Sequence, residues 1–355
     1  MELLVISALE QQARSAALTH AQAIYPDATV ATYDALEGPR LLRQIQRPGG
    51  AGERAESTFE HWCQGCAFRY DILPTLLRLR TEGTRFILVL PTGWSLATVE
   101  HYVGSELRAK DIRVRSAILG LDPASFEDRL WDTRLLSEAG FGVDDSDPSR
   151  PGEFLVEDAA WADTLVLAHG LDSALLEHDP AEHHEWMTGR HLVDLLAPHA
   201  VRVQVGHDLT LGNFDLPSAL KRTRPGHLPA LNAHATIPGA GGHRCLRLQA
   251  ERPLHPERFR EALPQLASSC AWIRGTLWMG NSPGSRIALG GVGPRVWMQS
   301  TGSWGAETAC TQLVLTSDEH EAEEVSALLR RCELNDAELA DLSTGLTPHT
   351  MEENS

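Results

Sequence analysis

Residues 2–15, ELLVISALEQQARS, decide the fold of the first part of the chain. The stretch from Glu2 to Ser7 is almost entirely apolar, which is typical of a strand buried on both faces of a parallel sheet. Residues from Leu9 to Ala23 have a helical composition, so only a short turn separates strand from helix. Strand–helix alternation of this kind builds α/β sheets. We therefore predict that the stretch opens a parallel sheet.

The same alternation continues through the first half of the chain. An amphipathic segment from Cys66 to Arg80 has apolar residues near helical spacing. Residues 47–56, RPGGAGERAE, are polar and glycine-rich and predict a loop. Further short apolar runs predict strands at residues 28–33, 86–90, 114–121, 164–168 and 201–205. Together these segments predict an α/β fold, with a parallel sheet and helices on both of its faces.

A proline-rich and glycine-rich stretch divides the chain. Residues 213–242 contain four prolines and end on GAGG, which is typical of a linker. Beyond it, a helix predicted at 256–267, several short strand-like runs and a helix predicted at 319–332 indicate a smaller α+β module. The predicted organisation is a first domain, a linker, a second domain and a polar tail, at 1–212, 213–242, 243–345 and 346–355.

Composition restricts the classes of function. The chain of 355 residues has a formal net charge of −17, which opposes non-specific binding to nucleic acid backbones. It has no run of about 18 apolar residues, so we predict no membrane-spanning segment. Its start lacks the basic residues of a secretory signal, and its six cysteines do not form a disulfide framework. We expect a cytoplasmic protein that does not recognise nucleic acid sequences directly.

The segment His61–Cys66, HWCQGC, places two thiols three positions apart, close to an imidazole. Cys63 and Cys66 could supply half of a tetrahedral zinc site, with His61 as a third ligand. The pair could also be a redox couple, if the helix that starts near Cys66 lowers a thiol pKa. Two free thiols at a junction between elements are the third alternative.

Three segments in the second half of the chain resemble a known family. They are RPLHPERFREAL at 252–263, IRGTLWM at 273–279 and TGSW at 301–304. In order and spacing they resemble the C-terminal domain of the CobW-type proteins, a metal-handling group of P-loop GTPases. The first half is similar to that family in its layout, including a PTG turn at 91–93. The resemblance implies a P-loop NTPase-like parallel sheet followed by a smaller α+β CobW C-terminal domain.

The family's phosphate-binding loop is changed in this chain. The motif G-x4-G-K-[ST] aligns with Ala8–Ser15, so Arg14 stands in the place of the lysine and Ser15 in that of the magnesium ligand. Alanines replace both glycines, whose role is to let backbone N–H groups approach the phosphates. Glu10 also puts a carboxylate where the phosphates would arrive. The resemblance therefore implies at most a residual nucleotide site, at Arg14 and Ser15.

The two other nucleotide motifs of the family are also incomplete. Leu90 stands where the family has an acidic residue after the strand. The segment LAHGLD at 167–172 retains the aspartate of N-K-x-D one place late and lacks the asparagine and lysine that read guanine. Weak or absent Mg–GTP binding is the consequence that we expect. Whether the chain is an enzyme is left open.

The cysteine segment matches the family's zinc-handling motif, C-x-C-C. Cys63 and Cys66 hold its outer positions, and Gly65 replaces the middle thiol. The altered phosphate loop and the ending LVLTSDE…LLRRCELNDAEL are similar to the branch of ribosome hibernation factor-recruiting GTPases. This resemblance implies a zinc-homeostasis accessory protein that recruits a hibernation factor to ribosomes under zinc limitation and acts by binding. The alternative that it implies is a GTP-dependent zinc metallochaperone with a zinc-dependent client protein.

Overall fold

Two β-sheets, one mainly parallel and one antiparallel, organise the described part of the chain. The structure is a computed structural model that describes residues 1–50, 52–60, 62–141, 147–168, 180–205, 209–228 and 242–345, with residues 342–345 described by their backbone. The chain separates into two compact units, of which the first contains Met1–Arg224. The second contains the short segment Pro225–Leu228 and continues from Arg244.

The sheet of the first unit has an apolar centre. Its strands in chain order are β1 (Glu2–Ala8), β2 (Thr29–Leu36), β3 (Arg40–Gln46), β4 (Gly52–Thr58), β5 (Arg85–Val89), β6 (Arg113–Leu121), β7 (Thr164–Leu167) and β8 (Val201–Gln204). Their order across the sheet is β4-β3-β2-β5-β1-β6-β7-β8. β1 lies between β5 and β6, parallel to both, and is buried along nearly its whole length. This is the burial that its apolar run predicts.

Helices connect the parallel strands. They are α1 (Gln11–Ile24), α2 (Gln64–Ala67), a π-helical segment (Phe68–Ile72), α3 (Leu73–Leu79), α4 (Ala97–Ala109), α5 (Pro123–Trp131), α6 (Pro151–Trp161), α7 (Pro180–Leu196) and α8 (Leu216–Arg222). α5 begins at a local signal, since the Asp122 side chain accepts the N–H of Ala124 and a proline occupies the first turn. The predicted α/β architecture is confirmed, with a sheet in which parallel pairs dominate.

Two predictions for the first half differ from the structure. Residues 47–56, predicted as a loop, contain the start of β4, which pairs antiparallel with β3. β4 is polar and half-exposed because it lies at the edge of the sheet, so it lacks an apolar signal. The predicted helix from Cys66 starts earlier, at Gln64, and continues without a break to Leu79. Pro74 lies two residues after the π-helical segment Phe68–Ile72, where the regular α-helical hydrogen bonding is already changed.

The predicted linker at 213–242 also differs in its first part. Residues 216–222 form α8, and the Arg222 guanidinium donates to the carbonyl of Ala160 at 2.7 Å. Phe214 packs against Trp161, with ring centroids 5.9 Å apart. The chain therefore stays attached to the first unit up to Arg224, beyond the predicted domain boundary at 212. Residues 229–241 lie outside the described ranges.

The second unit is an antiparallel sheet with helices. Its elements are β9 (Arg244–Ala250), α9 (Pro256–Ala267), β10 (Cys270–Leu277), β11 (Ser285–Val292), β12 (Arg295–Ser303), β13 (Thr311–Ser317), α10 (Ala322–Cys332) and α11 (Asp336–Gly345). The strands lie in the order β12-β11-β10-β13-β9. Apolar residues of α9 and α10, among them Phe259 and Leu329, share a core with Leu313 of the sheet. The predicted α+β module is confirmed. Of the helices in the described ranges, none is long and apolar enough to cross a membrane.

Candidate functional site

The turns after β1, β5 and β6 meet at the carboxyl edge of the first sheet, where parallel α/β sheets bind ligands. A backbone hydrogen bond of 3.0 Å from the N–H of Gly93 to the carbonyl of Ala8 joins the first two turns. Gly93 has a φ of 78°, which glycine adopts without strain. The segment that aligns with a phosphate loop therefore lies at the edge where a ligand is expected.

Arg14 is 3% exposed, and its side chain is held by the carboxyl-terminal part of β2. Its guanidinium donates to Asp34 Oδ1 and to the carbonyl of Tyr33, both at 2.5 Å, and to Gln11 Oε1 at 3.0 Å. These bonds attach α1 to β2. A guanidinium that bridges a carboxylate and a carbonyl in this way is occupied by charge-assisted hydrogen bonds. Ser15, the other predicted nucleotide contact, is exposed and donates its hydroxyl to the carbonyl of Gln11 at 2.9 Å.

Glu10 is also held by an ion pair. Arg129 of α5 donates from Nε and from its terminal nitrogen to Glu10 Oε1, each at 2.8 Å, and the Ser125 hydroxyl donates to the same oxygen at 3.2 Å. The acid that the sequence places in the phosphate position therefore connects the start of α1 to α5. The cavity that remains beside this turn has a volume of about 10 Å³. That is about the space of one water molecule.

Gly120 brings α1 close to the sheet. A Cβ atom at this position of β6 would lie 2.3 Å from the carbonyl oxygen of Ala13. Only a residue without a side chain allows this approach. The small residues Gly120 and Ala13 therefore pack the helix directly on the strand and leave little space between them.

Asp158 has a completely buried carboxyl group, which contacts the end of β1 and the turn after β5. It projects from α6 and accepts the hydroxyls of Ser7 and Ser95, each at 2.5 Å, and the N–H of Leu96 at 3.1 Å. It thus joins the end of β1 to the turn after β5. Burial is the largest effect on this group and raises the pKa of Asp158 to about 7, although the bonds from Ser7 and Ser95 oppose the shift.

The sequence reasoning missed Asp158. The signal was present, because an aspartate in the apolar run FLVEDAAW either interrupts a buried helix face or has buried partners. Its partners come from β1 and from the turn after β5, and the sequence pattern around Asp158 does not predict them.

A second cavity of the first unit has a volume of about 180 Å³ and mainly apolar walls, including Val5, Leu107 and Trp161. Glu100 and Arg108 are among its lining residues, and their side chains are paired with each other at 2.6 Å. Ligand sites combine apolar walls with a few converging polar groups. Glu100 and Arg108 are occupied by each other, and Arg113 is the other charged residue of the lining, so we do not include this cavity in the candidate site.

Cys63 is the N-cap residue of α2, and Cys66 lies within that helix. Cys63 precedes α2, and its sulfur accepts the backbone N–H of Cys66 at 3.2 Å. Both thiols are half-buried. The hydrogen bond with the Cys63 side chain is the main cause that raises the pKa of the Cys66 thiol. A raised pKa opposes a redox role for Cys66, because the thiolate is the reactive form.

The middle position of the cysteine motif faces an aromatic ring. A Cβ at Gly65 would lie 2.8 Å from Cε1 of Tyr102, whose ring in turn lies 5.7 Å from that of Phe68. The ring of Tyr102 therefore occupies the space that a third thiol would need.

The donor set fits zinc in part. Cys63 and Cys66 supply two sulfur ligands, and a tetrahedral zinc site needs four ligands. His61, the predicted third ligand, lies outside the described residues. Among the residues that the structure describes, no group of three or more His, Cys, Asp or Glu side chains is placed to hold a metal ion. Any zinc at this pair therefore needs ligands beyond the described side chains.

Comparison with known proteins identifies the second unit. Residues 244–333 match the family described as "Cobalamin synthesis protein cobW C-terminal domain". This segment is a CobW C-terminal domain, as its three sequence motifs predicted. The match begins at β9 and ends directly after α10, so it covers the antiparallel sheet and its two main helices.

Curated relatives extend the similarity into the first unit. The chain is 28% identical over 277 residues to the "Zinc chaperone Rv0106" of Mycobacterium tuberculosis, which covers 72% of this chain and 62% of that protein. An uncharacterised protein of Mycobacterium bovis, Mb0109, matches with the same values. The match thus spans less than two thirds of the length of these relatives.

Among solved structures, the chain is similar to the Zn(II)-bound YjiA GTPase from E. coli. The sequences are 14% identical, the alignment covers 93% of this chain and 99% of the other, and the TM-score is 0.36. A TM-score this low does not by itself establish a common fold.

Proposed function

We propose that the chain is a CobW-type protein of zinc homeostasis that acts by binding partners and does not depend on GTP turnover. The observation that carries the proposal is the ion-paired turn after β1, where Arg14 is held by Asp34 and Glu10 by Arg129. The CobW C-terminal domain and the relative named as a zinc chaperone support the zinc part of the proposal.

A triphosphate would meet three obstacles at this turn. Its charge would face the Glu10 carboxylate, and the cavity beside the turn has room for about one water molecule. Its cationic partner, Arg14, would have to be taken from Asp34. The Asp34 side chain is 34% exposed, so water would compensate part of its charge, and opening the pair would cost less than the several kcal/mol of a fully buried pair. A nucleotide could bind only by rearranging α1 against β2 and α5.

Zinc would bind at Cys63 and Cys66 as cargo or as a signal. Both thiols must lose their protons to become ligands, so binding would be weaker at low pH. His61, water or a side chain of a partner would complete the coordination. An incomplete site suits a protein that reports or passes on zinc, because the metal can leave without breaking a closed shell of four ligands.

The partner that we propose is a ribosome hibernation factor, recruited to ribosomes when zinc is scarce. The resemblance of the altered phosphate loop and of the C-terminal ending to that branch of the family supports this choice. Sedimentation of ribosomes from zinc-replete and zinc-starved cells provides the test. We expect the chain in the ribosomal fraction of starved cells, and its absence from both ribosomal fractions would contradict recruitment.

Native mass spectrometry tests the zinc and nucleotide parts together. After incubation with zinc and Mg–GTP, we expect bound zinc and no bound guanine nucleotide. The double variant Cys63→Ala/Cys66→Ala should lose the zinc, and Cys310→Ala, which removes another half-buried thiol, should keep it. Zinc that persists in the double variant would exclude the thiol pair as the site.

The second candidate is a GTP-dependent zinc metallochaperone, which the name of the mycobacterial relative favours. It requires stoichiometric Mg–GTP in the same spectra, lost when Arg14 is replaced by alanine. Bound nucleotide with that sensitivity would replace the first proposal by this one.

A further inference from the structure

The thiol pair Cys63 and Cys66 differs from the other cysteines of the chain in its surroundings. Both members of the pair are half-buried. Three of the others are buried, namely Cys245, Cys270 and Cys332. Cys310 is half-buried as well, but no other cysteine lies near it in the sequence. Sulfurs that are reachable from solvent and adjacent to a second thiol are the ones most readily converted into a disulfide.

Two hydrogen bonds connect the members of the pair. The backbone N–H of Cys66 donates to Cys63 Sγ at 3.2 Å, and the thiol of Cys66 donates to the same sulfur. Cys63 is therefore the acceptor sulfur and Cys66 the donor. Along the thiol–thiol bond only a proton lies between the two sulfurs, so they are already in position to react with each other.

The backbone fixes this approach. Cys63 is the N-cap of α2, and the helix runs without a break from Gln64 to Leu79. Gly65, between the two thiols, packs against the ring of Tyr102, from which a Cβ at this position would lie 2.8 Å away. The spacing of the sulfurs is thus set by a packed helix start. The C-x-x-C spacing at such a start is the one that disulfide oxidoreductases use.

The described part of the chain does not close a metal site over these sulfurs. Among the residues whose side chains are described, no group of three or more His, Cys, Asp or Glu could hold a metal ion. A closed zinc site surrounds its thiolates with four ligands in all. A pair without two further ligands from its own chain stays open to small oxidants.

We propose that Cys63 and Cys66 are a modification site, at which a peroxide converts the two thiols into a reversible disulfide. The sulfurs of a disulfide are no longer thiolates, so the modification also removes both ligands from zinc. The loss of zinc rests on the proposed function, whereas formation of the disulfide does not.

The reaction has two steps. The sulfur of Cys63 attacks one oxygen of hydrogen peroxide, the O–O bond breaks, and a sulfenic acid and one water are formed. The sulfur of Cys66 then attacks the sulfur of Cys63, the S–O bond breaks, and a second water leaves with the thiol proton. Two thiols lose two electrons, and one peroxide is reduced to two waters. The second step suits Cys66, because the hydrogen bond to Cys63 holds its proton until Cys63 has reacted.

Peptide mass spectrometry of the full, metal-free chain tests the disulfide. The chain is treated with hydrogen peroxide at neutral pH, and the remaining thiols are capped with iodoacetamide. We expect the peptide that contains Cys63 and Cys66 to lose both labels and to be lighter than its reduced form by about 2 Da, the mass of two hydrogen atoms. Dithiothreitol should restore both labels. Cys310, the other half-buried thiol, should stay labelled throughout.

Single substitutions separate the roles of the two sulfurs. Cys66→Ser removes the second thiol, so the sulfenic acid on Cys63 should persist and react with dimedone. Cys63→Ser keeps a side chain that can cap the helix, and it should form neither the disulfide nor a dimedone adduct at Cys66. Cys310→Ser is the matched control and should leave the disulfide unchanged.

Zinc titration of the reduced and the oxidised chain completes the test. The reduced chain should bind zinc and the oxidised chain should not. A reduced chain that binds no zinc would contradict the proposed function alone, because the disulfide is measured without metal. Three results would overturn the present proposal: full labelling of both thiols after peroxide, a disulfide that joins either of them to another cysteine or to a second chain, and equal zinc binding by the two forms.

Discussion

Replacing Asp158 by asparagine should change how the stability of the first unit depends on pH. The carboxyl is fully buried, and its pKa is about 7 in the folded chain against an ordinary value of 3.8. Asparagine has nearly the same shape and can still accept hydrogen bonds from Ser95 and Leu96, but it does not titrate. The variant therefore removes the charge and retains most of the contacts.

The sign of the effect follows from the raised pKa. Between pH 3.8 and about 7 the folded chain holds a proton on Asp158 that the unfolded chain has released. The stabilisation from this proton is complete below the unfolded pKa and is lost as the pH rises through the folded pKa. A difference of about three pKa units at 1.36 kcal/mol per unit gives roughly 4 kcal/mol.

Urea unfolding at several pH values measures this effect. We expect the free energy of unfolding of Asp158→Asn, relative to the unsubstituted chain, to rise by roughly 4 kcal/mol between pH 4 and pH 8. Asp128→Asn, which changes an exposed aspartate of α5, is the control and should show no such trend. A relative stability of Asp158→Asn that stays constant with pH would refute the reasoning, since Asp158 would then already be ionised in the folded chain at pH 4.

Three further predictions concern the ion pair, the packing and the thiols. Arg14→Ala should lower the free energy of unfolding by about 2–4 kcal/mol, because it leaves Asp34 and the Tyr33 carbonyl without their donor. Thermal unfolding measures this loss. Arg14→Lys should recover only part of the lost stability, since an ammonium lacks the planar fork of the guanidinium. Gly120→Ala should lower the free energy of unfolding by about 1–3 kcal/mol in the same assay, because the new Cβ would press on the backbone of Ala13. Gly284 has open space around it, so Gly284→Ala should leave the free energy of unfolding unchanged. Burial raises the pKa of Cys270 to about 12, whereas Cys63 and Cys66 are only half-buried. Iodoacetamide at pH 8 should therefore modify Cys63 and Cys66 before Cys270, as measured by peptide mass spectrometry. Early labelling of Cys270 would contradict its burial.

Sequence patterns predicted the elements whose signal is local. Apolar runs located β1 and β5, and the motifs at 252–263 and 273–279 located the CobW C-terminal domain. β4 was missed because an edge strand with alternating charges has no apolar run. α8 was missed because Pro217 and the prolines that follow the helix resemble a linker, although Phe214 and Arg222 attach that segment to α6.

The candidate site was predicted less completely. Comparison of motifs predicted an altered phosphate loop and a metal-binding thiol pair at Cys63 and Cys66, and both stay predictions. It could not predict that Arg14 turns to Asp34, nor that Tyr102 occupies the space beside Gly65. A motif identifies which residue stands at a position, but it does not contain the direction of the side chain.

By itself, the sequence determined the strand–helix alternation and the absence of phosphate-loop glycines, because both are properties of neighbouring residues. Only the tertiary structure decided what the charged groups contact. Arg14 finds Asp34 20 positions away, Glu10 finds Arg129 119 positions away, and Ser7 finds Asp158 151 positions away. The physical reason is that a buried charge must be satisfied by whichever partner the packed strands and helices bring to it, and that partner is set by the fold as a whole.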